Sequence, residues 1–511
     1  MAHPQRQFFT DTGDGYQNVW NMWWVNRAVT VLHQSPWQTT MLHYPYGTTL
    51  LGQTMNPFNG FVGIVLLRVM PLVDAFNVMV VFSFVATGVT AFWLCRYFCQ
   101  RYAASIFGGF AVTFSAYHLA KTLGLMQLVS LEWVPLFILL WWRLLTRPTS
   151  RLAAGAAATL FLVVLCDYYY YLFSVVTAAV IALYLWRAGA FRLDRRNGLL
   201  FGAGAAALTV PLPAALIWSN LKDPMQGGHP SKSSDLLSLL IDGRHWRFAG
   251  LTRWFYGSVP GNLADTTIYL SVTLVVLIVA ATVMRRRAGR HTAFWLAFAA
   301  GSLVLSLGPY LVVDHHDTGI PMPFDLALIV VPLLRYNLEP ERISVLTSIA
   351  AGVLAASVLS RLDFRRRSHV AIMAAACAGL FVELWPAPPP SAPTTRPAYV
   401  TALRNLPPGA VIDDAAVRNG RINKSLQLYD QVLDGHPMAF GYISRTPGTV
   451  AALDARLRAA ITANDWAVAC HVFHFTYITS PASRPLPGAL KLVYDDGHDL
   501  IYRLCPSPPN G

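Results

Sequence analysis

Residues 150–196 read SRLAAGAAATLFLVVLCDYYYYLFSVVTAAVIALYLWRAGAFRLDRR, and the alternation inside this stretch decides the fold. Two apolar runs, 152–166 and 171–187, carry no charged side chain until Arg187 closes the second. A short turn, Asp167 followed by Tyr168 to Tyr171, joins them. Arg151 precedes the pair, and Arg187, Arg192, Arg195 and Arg196 follow it. An apolar helix satisfies its own backbone hydrogen bonds and so can sit in lipid, whereas arginine is retained on the cytoplasmic side. The stretch therefore predicts a membrane hairpin with its arginines inside and its Asp–Tyr turn outside.

The same pattern repeats along the chain. Apolar runs at 74–97, 103–119, 126–145, 152–166, 171–187, 198–218, 266–284, 293–312, 343–361 and 370–384 predict about ten transmembrane helices. Every second connection is rich in arginine: Arg96 and Arg101; Arg143, Arg147 and Arg151; Arg187 to Arg196; Arg285 to Arg290; Arg361 to Arg367. Those loops are expected in the cytoplasm. Residues 1–73, the loop 219–265 and everything after about 385 are then expected outside, in a multi-pass protein of the cell inner (plasma) membrane. The N-terminus lies outside on this count, so either a first helix lies upstream of residue 1, the favoured reading, or the short N-terminus is translocated as a tail.

Composition agrees. Of 511 residues, 54% are hydrophobic and only 13% charged, against roughly a quarter charged in a soluble domain. Mean hydropathy is +0.42. The net charge of +13 comes from short arginine clusters between apolar runs, which argues against nucleic acid as a partner. Cys95, Cys99, Cys166 and Cys377 lie in or at the ends of spans and read as small hydrophobes. Cys470 and Cys505 fall in the tail and can form a disulfide if that tail is outside.

The fold class expected is thus an all-α polytopic membrane domain followed by a small α/β extracytoplasmic domain. Residues 1–73 form a first outside loop with interfacial helices, and 74–384 form the membrane domain. Residues 385–397, containing PAPPPSAPTTRP, are a proline-rich linker, and 398–511 form the soluble domain. In the first loop, Trp20, Trp23, Trp24 and Val31 recur near helical spacing, which predicts a helix lying in the interface with a tryptophan belt. The run 60–70 is too short to cross and reads as re-entrant or interfacial. In the tail, AVIDDAA, PMAFGYI, HFTYITS and LKLVYDD…LIYRL read as strands and TVAALDARLRAAITANDW as a helix.

Chemistry-bearing residues gather at the outer ends of the spans. Asp11 and Asp14 suit a general base toward a hydroxyl or a divalent cation, or are simply a solvated acid pair. The loop 219–265 places Lys222, Lys232, Arg244, His245, Arg247 and Arg253 among aromatic residues, which suits a lipid phosphate or contact with anionic lipid. Arg335, Glu339, Glu341 and Arg342 stand just outside the ninth span; an arginine there can grip a diphosphate, or the set can cap and snorkel. His118, Lys121, Gln127 and Glu132 line a cavity or pair with one another. His315, His316 and Asp317 invite a metal reading, but a short exposed run is ordinarily just solvated. No metal site is assigned. The chain has no P-loop, Rossmann glycine pattern, Ser-His-Asp motif or HExxH, so ATP-driven transport is unsupported.

The stretches DTGDGYQNVWNMWWVNRAV, LHYPYG, FSAYHLAKTLGLMQLVSLEWVPL, DYYYYLF and LYDQVLDGHPMAFGYISRTP together resemble the GT-C superfamily of integral-membrane glycosyltransferases, especially bacterial members ending in a soluble α/β domain. The resemblance implies transfer of a sugar from a polyprenyl-phosphate carrier to a glycan, lipid or protein acceptor outside the membrane. It implies Asp14, with Asp11 second, as the base, and Arg342, with Arg335 second, as the residue on the lipid phosphate. Such enzymes carry a helix before the catalytic loop, and this sequence begins at that loop. Two other readings stay open: a transporter or flippase of lipid-linked precursors, which would need polar groups deep in several spans, and a non-catalytic membrane protein of envelope assembly.

Overall fold

The computed structural model describes residues 6–226, 232–243, 245–257, 267–284, 289–330, 339–414, 424–488 and 490–505. Its helices include α1 (Asp14–Thr30), α2 (Pro57–Leu66), α3 (Leu72–Cys99), α4 (Tyr102–Thr113), α5 (Ala116–Lys121), α6 (Met126–Val129), α7 (Trp133–Thr146), α8 (Ser150–Cys166), α9 (Tyr168–Arg187), α10 (Arg195–Thr209), α11 (Pro211–Lys222), α12 (Val272–Val283), α13 (Thr292–Ser306), α14 (Ser344–Leu359) and α15 (Arg367–Glu383), with shorter ones at Arg253–Tyr256 and Pro323–Val330. Four more follow in the tail: α16 (Ala398–Arg404), α17 (Lys424–Asp434), α18 (Gly448–Thr462) and α19 (Trp466–His471). Among the described residues five helical segments are long and apolar enough to cross a membrane: α3, Tyr102–Lys121, Met126–Thr146, α9 and Pro340–Leu359. The pair α10–α11 passes the same test taken together and is bent by 45° where Pro211 interrupts the backbone ladder; it is a broken span or a re-entrant loop. Helices α2, α8, α12 and α13 are apolar but shorter.

Chain contacts divide the molecule into two compact units. One comprises Met1–Asn77, Leu212–Gly228 and Ser391–Gly511, the other Val78–Pro211 and His229–Pro390. The boundaries expected from sequence separate the chain by membrane side; the contacts instead group the first loop with the tail.

The helical unit is organised around α14, whose sixteen residues are all buried. Its sequence, SVLTSIAAGVLAASVL, is rich in Ala, Ser and Gly, the composition that lets helices approach closely where lipid offers no competing hydrophobic force. The approach is tightest between Gly352 and Gly108 of α4. A Cβ on Gly108 would lie 2.6 Å from the Gly352 carbonyl oxygen, and one on Gly352 would lie 2.6 Å from a Val112 methyl. Asp167, alone between α8 and α9, caps α9 by accepting from the Tyr169 and Tyr170 backbone N–H groups at 2.7 and 3.0 Å.

The other unit is α/β. Strands β1 (Gln7–Phe8) and β2 (Ala392–Pro393) pair antiparallel, joining the first loop to the proline-rich segment that opens the tail. The tail strands β3 (Ala410–Asp413), β4 (Phe475–Pro481), β5 (Lys491–Asp495) and β6 (Asp499–Arg503) form one sheet in the order β5-β6-β4-β3. Only β3 and β4 run parallel within it. Cys470 of α19 and Cys505 are joined by a disulfide across 5.4 Å between Cα atoms.

Two expectations are corrected in this unit. Two of the three α1 tryptophans do not face an interface: Trp20 and Trp24 are wholly buried, stacked at 5.6 Å, and their indole N–H groups donate to Gln431 Oε1 at 2.7 Å and the Pro36 carbonyl at 2.9 Å. Helix α1 is enclosed because α2 and α17 both pack on it. Gly60 and Gly63 of α2 lie against Val25 and Met22, where a Cβ would meet side-chain atoms at 2.6 and 2.8 Å. Residues 437–443, read as a strand, are an extended connection instead. Pro437 lacks an N–H, and the hydrogen bonds of Met438 and Ala439 go to Met41 and Val411 in place of a ladder.

Candidate functional site

In the α/β unit the candidate acids lie at the start of α1. Asp11 and Asp14 have different jobs there. Asp11 Oδ1 accepts from the backbone N–H groups of Gly13 and Gly15 at 3.1 and 2.9 Å, so it folds the turn that opens the helix. Gly15 is required at that turn, since a Cβ would lie 2.4 Å from Thr10 Oγ1. Asp14, the first residue of α1, projects its carboxylate to a half-buried position. The Tyr442 hydroxyl donates to its Oδ1 at 2.6 Å, a charge-assisted bond. Burial, then the neighbouring Asp14 and Asp11 carboxylates, hold the Tyr442 hydroxyl well above its ordinary range, so it stays a donor.

The same face of α1 is polar at residues 14, 17, 18 and 21, a helical stripe. Gln17 donates to the Tyr442 carbonyl at 2.8 Å and accepts from Thr54 Oγ1 at 3.3 Å. Asn18 donates to the Asp14 carbonyl at 3.0 Å, and Asn21 to the Thr54 carbonyl at 3.0 Å. Gln53 accepts from the Ser444 N–H at 2.8 Å. This frame fixes the 442–444 segment, and so Tyr442, over the Asp14 carboxylate. Nothing local in the sequence links Tyr442 to a carboxylate more than four hundred residues earlier.

In the helical unit, residues that stood apart in the sequence come together. Lys121 Nζ lies 3.6 Å from Glu341 Oε1, and Arg342 Nε lies 3.8 Å from the same oxygen. Both acid and lysine are buried to within 2%. Lys121 sits 4.8 Å over the Tyr117 ring and the Arg342 guanidinium 5.0 Å over Tyr169. Asp167 completes the set. Burial pushes its carboxyl up to about 6, against the pull of Arg342, of the Tyr170 and Tyr169 N–H groups and of Lys121. Tyr170 donates to the Leu128 carbonyl at 2.6 Å and to Tyr117 Oη at 3.2 Å. Two cations and two carboxylates taken out of water hold together only as a set, and removing one strands its partners.

The remaining candidates fall elsewhere. Arg335 lies outside the described residues, as does Arg244. His245 is buried against Asp242, with Nε2 2.7 Å from Oδ1. Arg247 and Arg253 are exposed, and Arg253 opens a single helical turn, Arg253–Tyr256. Asp235 holds the turn at Asp314 and His315 by accepting both backbone N–H groups at 3.2 and 2.6 Å. Among the described residues no three His, Cys, Asp or Glu side chains converge as a cation site.

No family model matches the chain, and no curated protein matches it. Solved structures do. The chain superposes on the mycobacterial arabinofuranosyltransferase AftD with a TM-score of 0.54 and 14% identity, over 99% of this chain and 41% of that one. It therefore spans less than half of that protein's length. Weaker likenesses are to the oligosaccharyltransferase AglB of Archaeoglobus fulgidus, with TM-score 0.41, 12% identity, and coverage of 93% and 66%. The same holds for ArnT of Cupriavidus metallidurans bound to undecaprenyl phosphate, with TM-score 0.41, 12% identity, and coverage of 98% and 95%. At 14% identity the likeness to AftD shows a shared fold.

Proposed function

We propose that the chain is an integral-membrane glycosyltransferase that moves a sugar from a polyprenyl-phosphate-linked donor to an extracytoplasmic acceptor. The observation that carries this reading is Asp14: a half-exposed carboxylate at a helix start, backed by a hydroxyl that can only donate to it. That is the equipment of a general base. The fold shared with an arabinofuranosyltransferase over the whole chain supports it. In the proposed reaction the acceptor hydroxyl gives its proton to Asp14 as its oxygen bonds to the anomeric carbon. The bond from that carbon to the phosphate oxygen breaks, and the carrier phosphate leaves with its electron pair. Asp11 is the second choice of base, since its Oδ1 already serves two backbone N–H groups. Arg342, with Lys121 beside the same glutamate, is proposed to meet negative charge on the carrier phosphate; Arg335, Arg247, Arg253 and His245 are secondary candidates for that role.

The topology proposed with this function keeps about ten spans in a bacterial-type inner membrane, with the first loop and the tail outside. The test is turnover. The purified protein in detergent is offered radiolabelled polyprenyl-phosphate sugars, with and without a chelator, beside Asp14→Asn and Arg342→Ala. Sugar release or transfer by the parent, reduced by about 10²-fold or more in Asp14→Asn, supports the reading. Turnover that Asp14→Asn leaves intact moves the base elsewhere. A chain inert with every donor yet able to bind the carrier points to transport or scaffolding.

A further inference from the structure

In the helical unit, a 3₁₀ turn (Ala249–Thr252) runs straight into the single helical turn Arg253–Tyr256. Side chains three residues apart line up in such turns, so this short segment carries two rows. Phe248, Leu251 and Trp254 form an apolar row, with exposures of 41%, 71% and 68%. Arg247, Gly250 and Arg253 form the row beside it, and all three are exposed. The inner side is anchored. Phe255 is wholly buried with its ring 4.6 Å from that of His315, and the Tyr256 hydroxyl donates to the Ile241 carbonyl at 2.7 Å. That packing fixes which side chains face outward.

The segment is stapled to the end of α15. Trp246 Nε1 donates to the Val382 carbonyl at 2.9 Å, the Arg247 N–H to the Trp385 carbonyl at 2.8 Å, and the Ala387 N–H to the His245 carbonyl at 2.7 Å. The Phe248 ring meets Trp246 at 5.4 Å and Trp385 at 6.2 Å, both edge-on. Helix α15 buries only Ala376 and Leu380 and turns Val370, Ile372, Phe381 and Val382 outward. In the topology proposed above, Arg365, Arg366 and Arg367 hold its start on the cytoplasmic side, so its Glu383 end is the outer one. The apolar row thus continues the outward face of a membrane helix at the outer boundary of the bilayer. Trp254, Trp246 and Trp385 there are the belt that the buried Trp20 and Trp24 do not supply.

We propose that residues 246–256 lie in the outer head-group layer and bind anionic phospholipid, with Phe248, Leu251 and Trp254 among the upper acyl chains and Arg247 and Arg253 on head-group phosphates. Charge selects this occupant: the segment holds two arginines and no acid, and a guanidinium offers a phosphate a planar fork of donors. An apolar row bordered by a basic one is the pattern of a segment lying in the interface. The inference goes beyond sugar transfer and takes from that reading only its topology. It assigns Arg247 and Arg253 to bulk lipid and leaves the carrier phosphate to Arg342.

The experiment places a fluorophore on Trp254→Cys, or separately on Leu251→Cys, in the full chain. Cys99→Ser and Cys377→Ser remove the accessible free thiols, while Cys95 and Cys166 are buried. The chain is reconstituted without sugar donor in phosphatidylcholine vesicles with and without phosphatidylglycerol, one lipid or the other carrying brominated acyl chains that quench on contact. Both labels should be quenched, and brominated phosphatidylglycerol should be preferred over brominated phosphatidylcholine by about fivefold. Arg247→Gln combined with Arg253→Gln should bring that preference close to unity. Labels quenched by neither lipid would place the row in water or against a protein and overturn the proposal. Equal quenching by both lipids in the parent, or a preference that survives loss of both arginines, would overturn it too. So would loss of the phosphatidylglycerol preference on adding a small fraction of undecaprenyl phosphate, which would hand the arginines to the carrier. Turnover without quenching removes this inference alone, and quenching without turnover removes the transferase reading alone.

Discussion

Asp11 and Asp14 show how little of a residue's task its sequence neighbours disclose. Both stood out as acids in an outside loop, and the ranking of Asp14 first rested on resemblance alone. The coordinates separate them physically, because Asp11 Oδ1 is spent on two backbone N–H groups and Asp14 meets a hydroxyl. Tyr442 was not legible, since nothing local marks a side chain whose partner is far along the chain. Removing that hydroxyl should leave a carboxylate less favoured in its charged form. Tyr442→Phe is therefore expected to lower kcat severalfold and move the acid limb of the rate–pH profile upward, with KM for the donor little changed. Steady-state rates across pH check this.

Asp434 gives a second prediction at this scale. Its carboxyl is raised from an ordinary 3.8 to about 7, chiefly by burial. Between those values the folded chain holds a proton that the unfolded chain has lost, so stability falls as pH rises from about 4 to about 7. Asp434→Asn should flatten that slope, as read from unfolding midpoints at several pH values. A slope unchanged in the variant assigns it to another group.

At the scale of elements, the apolar runs were legible because length and charge depletion are local properties. α9, for example, spans Tyr168–Arg187 where residues 171–187 were expected. The strands β3, β4, β5 and β6 were legible too, from short β-branched and aromatic runs. The burial of α1 was not, because tryptophan suits an interface and a core equally, and the choice is made by α2 and α17, which lie outside the helix's own sequence. Gly60 is where that packing is tightest. Gly60→Ala should cost about 1–3 kcal/mol by forcing Val25 aside. Gly202→Ala, with no atom within 4 Å of the new methyl, should be neutral or slightly stabilising. Thermal unfolding of both in one detergent compares them directly. Replacing Cys470 and Cys505 with serine should cost about 2–4 kcal/mol, since the bridge closes a loop of sequence separation 35.

At the scale of the molecule, charge alternation predicted which loops share a side, and it can be mapped. Single cysteines placed at positions 46, 150, 190 and 363 and labelled from outside intact cells should react at the first and resist at the other three. The reverse pattern would invert the topology. What charge could not give is the grouping of contacts. The four-residue cluster of Lys121, Asp167, Glu341 and Arg342 draws on three distant segments. The α/β unit is built from the first 77 residues, a short central segment and the last 121. Periodicity reports how a helix faces its surroundings and is silent on which helix faces it.

The pairing of Gln7 and Phe8 with Pro393 and Ala392, and of Trp20 with Gln431, has a consequence for synthesis. A ribosome delivers α1 long before the tail helix α17 that helps to enclose it. During the whole interval the nascent chain carries two indoles and a row of amides with no lasting place to go, exposed to chaperones and to proteases. A message cut short between the codons for Glu383 and Gln431 would yield a chain that has made its apolar helices yet never shelters α1, which is the kind of product that cellular quality control removes.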